Sequence, residues 1–303
     1  MYPARFDYHR PNSLEAALEL LEQEGAQVLA GGHSLLPALK RRKTEVASLV
    51  DVSTLSELHG VSLDHDDGVI TIGASMTYTE LLASDIVRAH LPMLVDALEQ
   101  LGDHQIRNRG TIGGNLVQAD LGADLPAVGL AQDAKLLLCG PEGTRTLAIA
   151  DLYATEEGLS ARGTPAPNAL ANAEMITAVQ VPIRDAGGAY HRKTHPATGY
   201  ALIGIAARVR TSPAGMIDDI RLAATGLTRW PIRLRSAEGV LNNGSINDTT
   251  LTRASQAVRS QLEDTPITHD ANVSSAYRRS IAGRYTISTI ERAVERSEGV
   301  DRV

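Results

Sequence analysis

Two short glycine stretches constrain this chain more than anything else in it. Residues 30–36 read AGGHSLL and residues 110–116 read GTIGGNL, each with an adjacent glycine pair beside small hydroxyl or amide residues. Paired glycines open positive φ and let the backbone approach a ligand closely. Amides turned inward from such a turn make a nest that suits phosphate oxygens. One nest serves one phosphate, whereas two on adjoining subdomains could grip a pyrophosphate from both sides. Either pair alone reads as a plain structural turn, and the two together put a ligand on an equal footing with that reading. Two better-known phosphate-binding motifs fail on spacing. No G-x-G-x-x-G opens a helix after the first strand, and no G-x-x-x-x-G-K-[ST] is present.

Composition narrows the classes that remain. The 303 residues are 43% hydrophobic and 21% charged, with a net charge of −7, as expected of a globular protein with room for one or two cores. An acidic balance without a basic, aromatic-rich cluster argues against nucleic acid as a partner. The LKRRK run at Leu39–Lys43 reads as a solvated helix end. The single cysteine, Cys139, cannot form an internal disulfide. Nor can it hold an iron–sulfur cluster, which takes about four thiolates. It reads as a small buried strand residue. No stretch reaches the roughly 18 apolar residues of a membrane span, and the N-terminus lacks a secretory h-region. A cytoplasmic location is expected.

Along the chain, Asn12–Gly25 reads as a helix capped by Asn12 or Ser13 and closed by Gly25. AQVLAGG gives a short strand running into the first glycine turn, and Ala47–Ser53 a second strand, so the first fifty residues suggest a β–α–β unit. Val69–Ile72 predicts a strand, Thr77 a helix cap, Leu91–Gly102 an apolar helix, and AKLLLCGPEGTRTLAIADLY a hairpin with Pro141–Gly143 at its tip. TPAPNALANAE reads as a linker or surface loop, and from Ala173–Ile183 the character of the chain changes. Asp218 and Asp219 read as an exposed turn rather than a carboxylate dyad, and tail helices are expected at 249–263 and 274–298. Strands followed by helices give an α+β class with a C-terminal domain from about residue 180.

The chain resembles the FAD-binding medium subunits of the molybdenum hydroxylases, the carbon monoxide dehydrogenase and xanthine dehydrogenase family. The resemblance runs through FDYHRPNSLEAALELL, LAGGHSLLPALKRR, LVDVSTLSEL, ITIGASMTYTELLAS, HQIRNRGTIGGNLVQADLGADLPA, EMITAVQVP and YHRKTHPATGYALIGIAA. It implies a two-subdomain FAD-binding fold of the vanillyl-alcohol-oxidase type over residues 1–175 (subdomains about 1–57 and 58–175), then a C-terminal domain over 180–295. It also implies that Ala30, Gly31, Gly32, His33, Ser34 and Leu35, with Thr111, Ile112, Gly113, Gly114 and Asn115, form the two pyrophosphate turns. By the same resemblance Asp124 contacts the adenosine–ribityl region, Ile176 faces the flavin with its backbone, and Tyr190 packs near the isoalloxazine. Arg192 stands where many relatives carry lysine and would place a cation at the flavin N1–C2=O edge. Leu121 and Gly122 replace the proline and small residue common in relatives, and the lone Cys139 excludes the branch with an extra cysteine-rich cluster loop.

The implied activity is that of an oxidoreductase subunit with no catalytic side chain of its own. FAD collects electrons from the [2Fe-2S] clusters of a small subunit, which receives them from a molybdopterin-binding large subunit, and passes them to NAD⁺, a quinone or oxygen. The implied assembly is a hetero-oligomer, a dimer of heterotrimers. A stand-alone FAD oxidoreductase with its own substrate site is the alternative, and a subunit that has lost FAD a third reading. His33 could contact a phosphate or serve structure alone. His104 and His195 have no partner at metal-ligand spacing. Gly73–Met76 could face FAD or form a tight strand-to-helix turn. The trio Ser34, His33 and Asp51 has poor geometry for a hydrolase and lacks a G-x-S-x-G elbow.

Overall fold

The computed structural model describes residues 2–153, 169–196, 198–269 and 273–300. The chain forms two compact units, and neither is continuous in sequence. The first contains residues 1–86, 102–118 and 133–182; the second contains 87–101, 119–132 and 183–303. A single boundary near residue 180 would have assigned 87–101 and 119–132 to the first part.

The first unit contains two sheets. The smaller is parallel, with Ser48–Asp51 between Asp7–His9 and Ala26–Leu29. Helix Leu14–Leu21 connects its first two strands. It begins because the Ser13 hydroxyl accepts the Ala16 amide, and the left-handed Gly25 follows its end. Its Ala17 and Leu21 pack on Val50, Val52, Leu55 and Leu58. Ala26–Leu29 returns to Ser48–Asp51 through helix Leu35–Lys40, so the expected β–α–β unit is present with Asp7–His9 added at one edge. The cations at Lys40–Lys43 are exposed at that helix's end, as charge patterning suggests.

The larger sheet is antiparallel, in the spatial order Val61–Asp64, Val69–Gly73, Met175–Pro182, Lys135–Gly140, Gly143–Ala148. The last two strands are the predicted hairpin, with Cys139 buried in one of them. Opposite Leu137 and Leu138 the register shifts by one residue on the central strand, and Thr177 is the extra residue. The TPAPNALANAE segment begins within residues 154–168 and lies partly outside the described residues.

The second unit is a four-stranded antiparallel sheet in the order Ile232–Arg233, Ile217–Thr225, Ala201–Thr211, Gly187–Thr194. Its core joins Ile203, Ile205, Val209, Ile220 and Leu222 from the strands to Val258, Leu262, Ala282 and Ile290 from helices Asp248–Glu263 and Ser275–Val300. Both tail helices fall where periodicity puts them. Strand and helix approach so closely that a Cβ at Gly187 would meet the Ala293 carbonyl oxygen at 1.9 Å. Asp218 and Asp219, expected in a turn, are in strand Ile217–Thr225. Asp219 pairs there with Arg208 and Arg221, because alternation along a strand lets a carboxylate face solvent without breaking the sheet.

Candidate functional site

The first glycine turn leaves the carboxyl end of Ala26–Leu29 in the parallel sheet, the edge at which such sheets bind ligands. Gly32 has φ +75°, a conformation that a Cβ disfavours. This lets the chain fold back so that the Leu36 amide donates to the Gly32 carbonyl (3.0 Å) and helix Leu35–Lys40 starts. The amides of Gly31, Gly32, His33, Ser34 and Leu35 have no acceptor among the described residues. His33 and Ser34 are exposed. Successive unpaired amides on a glycine turn are the chemistry of an anion nest.

The second turn is backed by the segment Ala74–Thr79, which runs antiparallel to it. The Tyr78 amide donates to the Gly110 carbonyl (3.1 Å), the Ile112 amide to Met76 (3.1 Å) and the Gly113 amide to Ala74 (2.9 Å). The Thr79 hydroxyl donates to Asn108 Oδ1 (2.6 Å). Gly114 donates to Thr111 Oγ1 (3.2 Å) and Asn115 to the Thr111 carbonyl (3.0 Å). Four amides that the sequence suggested for a second nest are therefore already paired. The two turns are not equivalent: the first carries the free amides, and the second offers the bare face of Gly114, the Thr111 hydroxyl and the Asn115 carboxamide. Gly73–Met76 is buried, and a Cβ at Gly73 would meet the Leu58 carbonyl oxygen at 2.3 Å, so this stretch is the tight turn that packs behind the site.

The fold brings the two turns together. A Cβ at Gly31 would meet the Arg109 carbonyl oxygen at 2.1 Å and Gly110 Cα at 3.1 Å. The His33 ring reaches the Gln105 carbonyl (Nε2 to O 3.4 Å). Asp51 accepts instead from the Tyr8 hydroxyl (2.5 Å) and the Ser53 amide (2.9 Å), so it orients no histidine in a hydrolase-like relay. Ile176 also belongs to this unit. It lies beside the bulged Thr177, whose carbonyl accepts the Ala74 amide (3.0 Å), and Ala74 in turn accepts from Gly113. Bulges recur where a strand must serve a ligand.

Asp124, Tyr190 and Arg192 gather in the second unit. The Tyr190 hydroxyl donates to Asp124 Oδ1 (2.5 Å), Arg192 Nη1 donates to Asp124 Oδ2 (2.8 Å), and Arg192 Nη2 donates to the carbonyls of Gln100 and Gly199. Burial raises the Asp124 carboxyl above its ordinary value, against the Arg192 charge and the Tyr190 hydrogen bond. Burial, then the charge of Asp124, push the Tyr190 phenol well above its usual range, so it keeps its proton and acts as a donor. Tyr190 is fully buried, and Gly204 makes room for it, since a Cβ there would meet its hydroxyl at 1.8 Å. What these residues do in the structure is tie the loop before helix Leu125–Ala131 to strand Gly187–Thr194.

Sequence reasoning missed two residues that hold these arrangements. Tyr78 follows a helix cap that was legible, since Thr77 and Glu80 form a capping box, but its reach to Asn115 (2.9 Å) is not local. Asp96 stands between apolar residues in the sequence of helix Pro92–Gln100, and in the structure it accepts from the Tyr190 amide, Arg292 and Arg296.

A cofactor with phosphate groups fits these residues on two observations. Free amides stand next to glycines whose side-chain space is taken, and the Asn115 carboxamide oxygen is buried without a partner among the described residues. An acceptor left so costs on the order of 1–3 kcal/mol unless something supplies a donor. The class defined here is a dinucleotide-holding module built on two abutting glycine turns. Residues 4–184 match the family described as the FAD binding domain in molybdopterin dehydrogenase, and residues 189–293 match the CO dehydrogenase flavoprotein C-terminal domain.

The chain belongs to the FAD-binding medium subunits of the molybdenum hydroxylases. It is 33% identical over 301 residues to the carbon monoxide dehydrogenase medium chain of Afipia carboxidovorans, covering 98% of this chain and 100% of the relative. It is 32% identical to the glyceraldehyde dehydrogenase medium chain of Sulfolobus acidocaldarius, over 96% of this chain and 99% of that one. The solved reconstituted CO dehydrogenase from Oligotropha carboxidovorans superposes with a TM-score of 0.89 at 32% identity, over 98% of this chain and 100% of the other. The chain is thus an oxidoreductase flavoprotein subunit of mixed α+β architecture with an FAD-binding domain. Among the described residues no helix is long and apolar enough to cross a membrane.

Proposed function

We propose that this chain is the electron-transfer subunit of a molybdenum-containing hydroxylase. It would take electrons from the [2Fe-2S] clusters of a small partner subunit, fed by a molybdopterin-binding large subunit, and deliver them to an external acceptor. FAD can exchange one or two electrons, which suits a junction between one-electron clusters and a two-electron acceptor. The chain's own residues bind and orient it. The amides of Gly31–Leu35 are the donors for the pyrophosphate. Thr111 Oγ1 accepts from Gly114 through a lone pair and so keeps its own proton to donate. Gly114, exposed and without a side chain, keeps the phosphate's place clear, Gly113 lets the turn close on Ala74, and Ile176 offers strand backbone to the ring system.

The observation that carries this reading is the set of five unpaired amides abutting the second turn. The test is reconstitution of the flavin-free chain. Purified chain titrated with FAD and with FMN should take up FAD and release FAD on acid denaturation. FMN lacks the pyrophosphate that the nest is built for, so preferential uptake of FMN, or no flavin uptake at all, overturns the reading.

A further inference from the structure

Tyr78 lies outside the glycine motifs, yet one side chain of this residue spans the second turn. Its amide donates to the Gly110 carbonyl (3.1 Å), and its ring packs where a Gly110 Cβ would stand 2.4 Å away. Its hydroxyl accepts from Asn115 Nδ2 at 2.9 Å, and the residue is 4% exposed. One of the two N–H donors of the Asn115 carboxamide is thereby taken, and the oxygen end is the buried one with no partner among the described residues.

We propose that Tyr78 is a positioning residue for the cofactor: it holds the Asn115 carboxamide so that the oxygen is the end left to meet the bound molecule. An amide oxygen only accepts, and phosphate oxygens at neutral pH only accept as well, so the pair cannot bond. A sugar hydroxyl donates. Asn115 therefore recognises a hydroxyl of the ribose or ribityl chain rather than a phosphate oxygen. This rests on the reading that Thr111–Asn115 lies against FAD.

The test is a double-mutant cycle on FAD affinity, measured by flavin fluorescence quenching on the full-length chain stripped of flavin. Y78F keeps the buried ring and removes only the oxygen, and N115A removes the carboxamide. Each should weaken FAD binding about tenfold, the scale of one buried hydrogen bond. The double variant should bind no more weakly than N115A if the Tyr78 hydroxyl reaches the cofactor through Asn115. A packing role for Tyr78 would instead multiply the two losses. Multiplied losses, or wild-type affinity in Y78F, overturn the inference while leaving the cofactor site standing. Wild-type affinity in N115A removes the second turn from the site and overturns both.

Discussion

A methyl group added at Gly31 and one added at Gly114 should do different things, and the difference separates packing from binding. At Gly31 the new carbon would sit 2.1 Å from a backbone oxygen of Arg109, which cannot rotate away. Gly31→Ala should cost about 3 kcal/mol of stability through overpacking, read as a lower denaturant midpoint. Gly32 has positive φ and flexible leucine atoms near it, so Gly32→Ala should cost about 1 kcal/mol, mostly backbone strain. Gly114 is exposed and lies in helix Ile112–Gln118, where among the described residues a new Cβ would meet the Thr111 hydroxyl at 2.8 Å and no other atom within 4 Å beyond its own helix backbone and chain neighbours. Gly114→Val should therefore leave the circular dichroism spectrum unchanged and abolish FAD uptake in a titration. Normal affinity in that variant would remove Gly114 from the site. The glycine pairs were legible in the sequence, because both motifs are local. Their unequal roles were not, because Ala74 and Met76, which take up the Gly113 and Ile112 amides, lie far from the second turn in the chain.

Helix Pro92–Gln100 shows what a local reading gets right and where it stops. Its apolar face was legible from the spacing of Met93, Leu94, Ala97 and Leu98, all buried, as were the capped helix after Ser13, the hairpin and both tail helices. Its membership was not legible. Asp96 ties it to the second unit by accepting from the Tyr190 amide (3.1 Å), from Arg292 (3.2 Å) and from both Nη atoms of Arg296 (2.7 and 2.9 Å). These partners lie about a hundred and two hundred positions away, beyond any window of periodicity. Strand Asp7–His9 escaped for a related reason, since three residues carry too little alternation to register. The asymmetry of the cluster gives a ranked expectation for thermal or urea unfolding. Asp96→Ala strands a buried amide and two guanidinium groups and should cost about 3 kcal/mol. Arg296→Ala should cost less, and Arg292→Ala, whose side chain is 46% exposed, should cost under about 1 kcal/mol. An equal effect from all three would mean that the ion pairs contribute nothing specific.

At the scale of the whole molecule the governing question is where electrons enter. Cys139 is the only cysteine and is buried in a strand, and the described residues hold no group of three or more His, Cys, Asp or Glu side chains placed for a metal. Among the described residues no metal-ligating cluster stands beside the FAD-binding turns, so under the proposed function the iron–sulfur clusters belong to another chain. Relatives matched from end to end carry names that place them within larger enzymes, among them the CO dehydrogenase medium chain and the 6-hydroxypseudooxynicotine dehydrogenase complex subunit alpha. The expected outcome of affinity purification with a tag on this chain, from its native host, is stoichiometric recovery of an iron–sulfur subunit and a molybdopterin subunit. The assembly should elute as a dimer of three-chain units. In that complex a reducing substrate should bleach the flavin band, and the separated chain reloaded with FAD should not respond to the same substrate. Elution of this chain alone, with FAD bound and reduced directly by a small-molecule substrate, would establish a stand-alone oxidoreductase in place of the electron-transfer subunit.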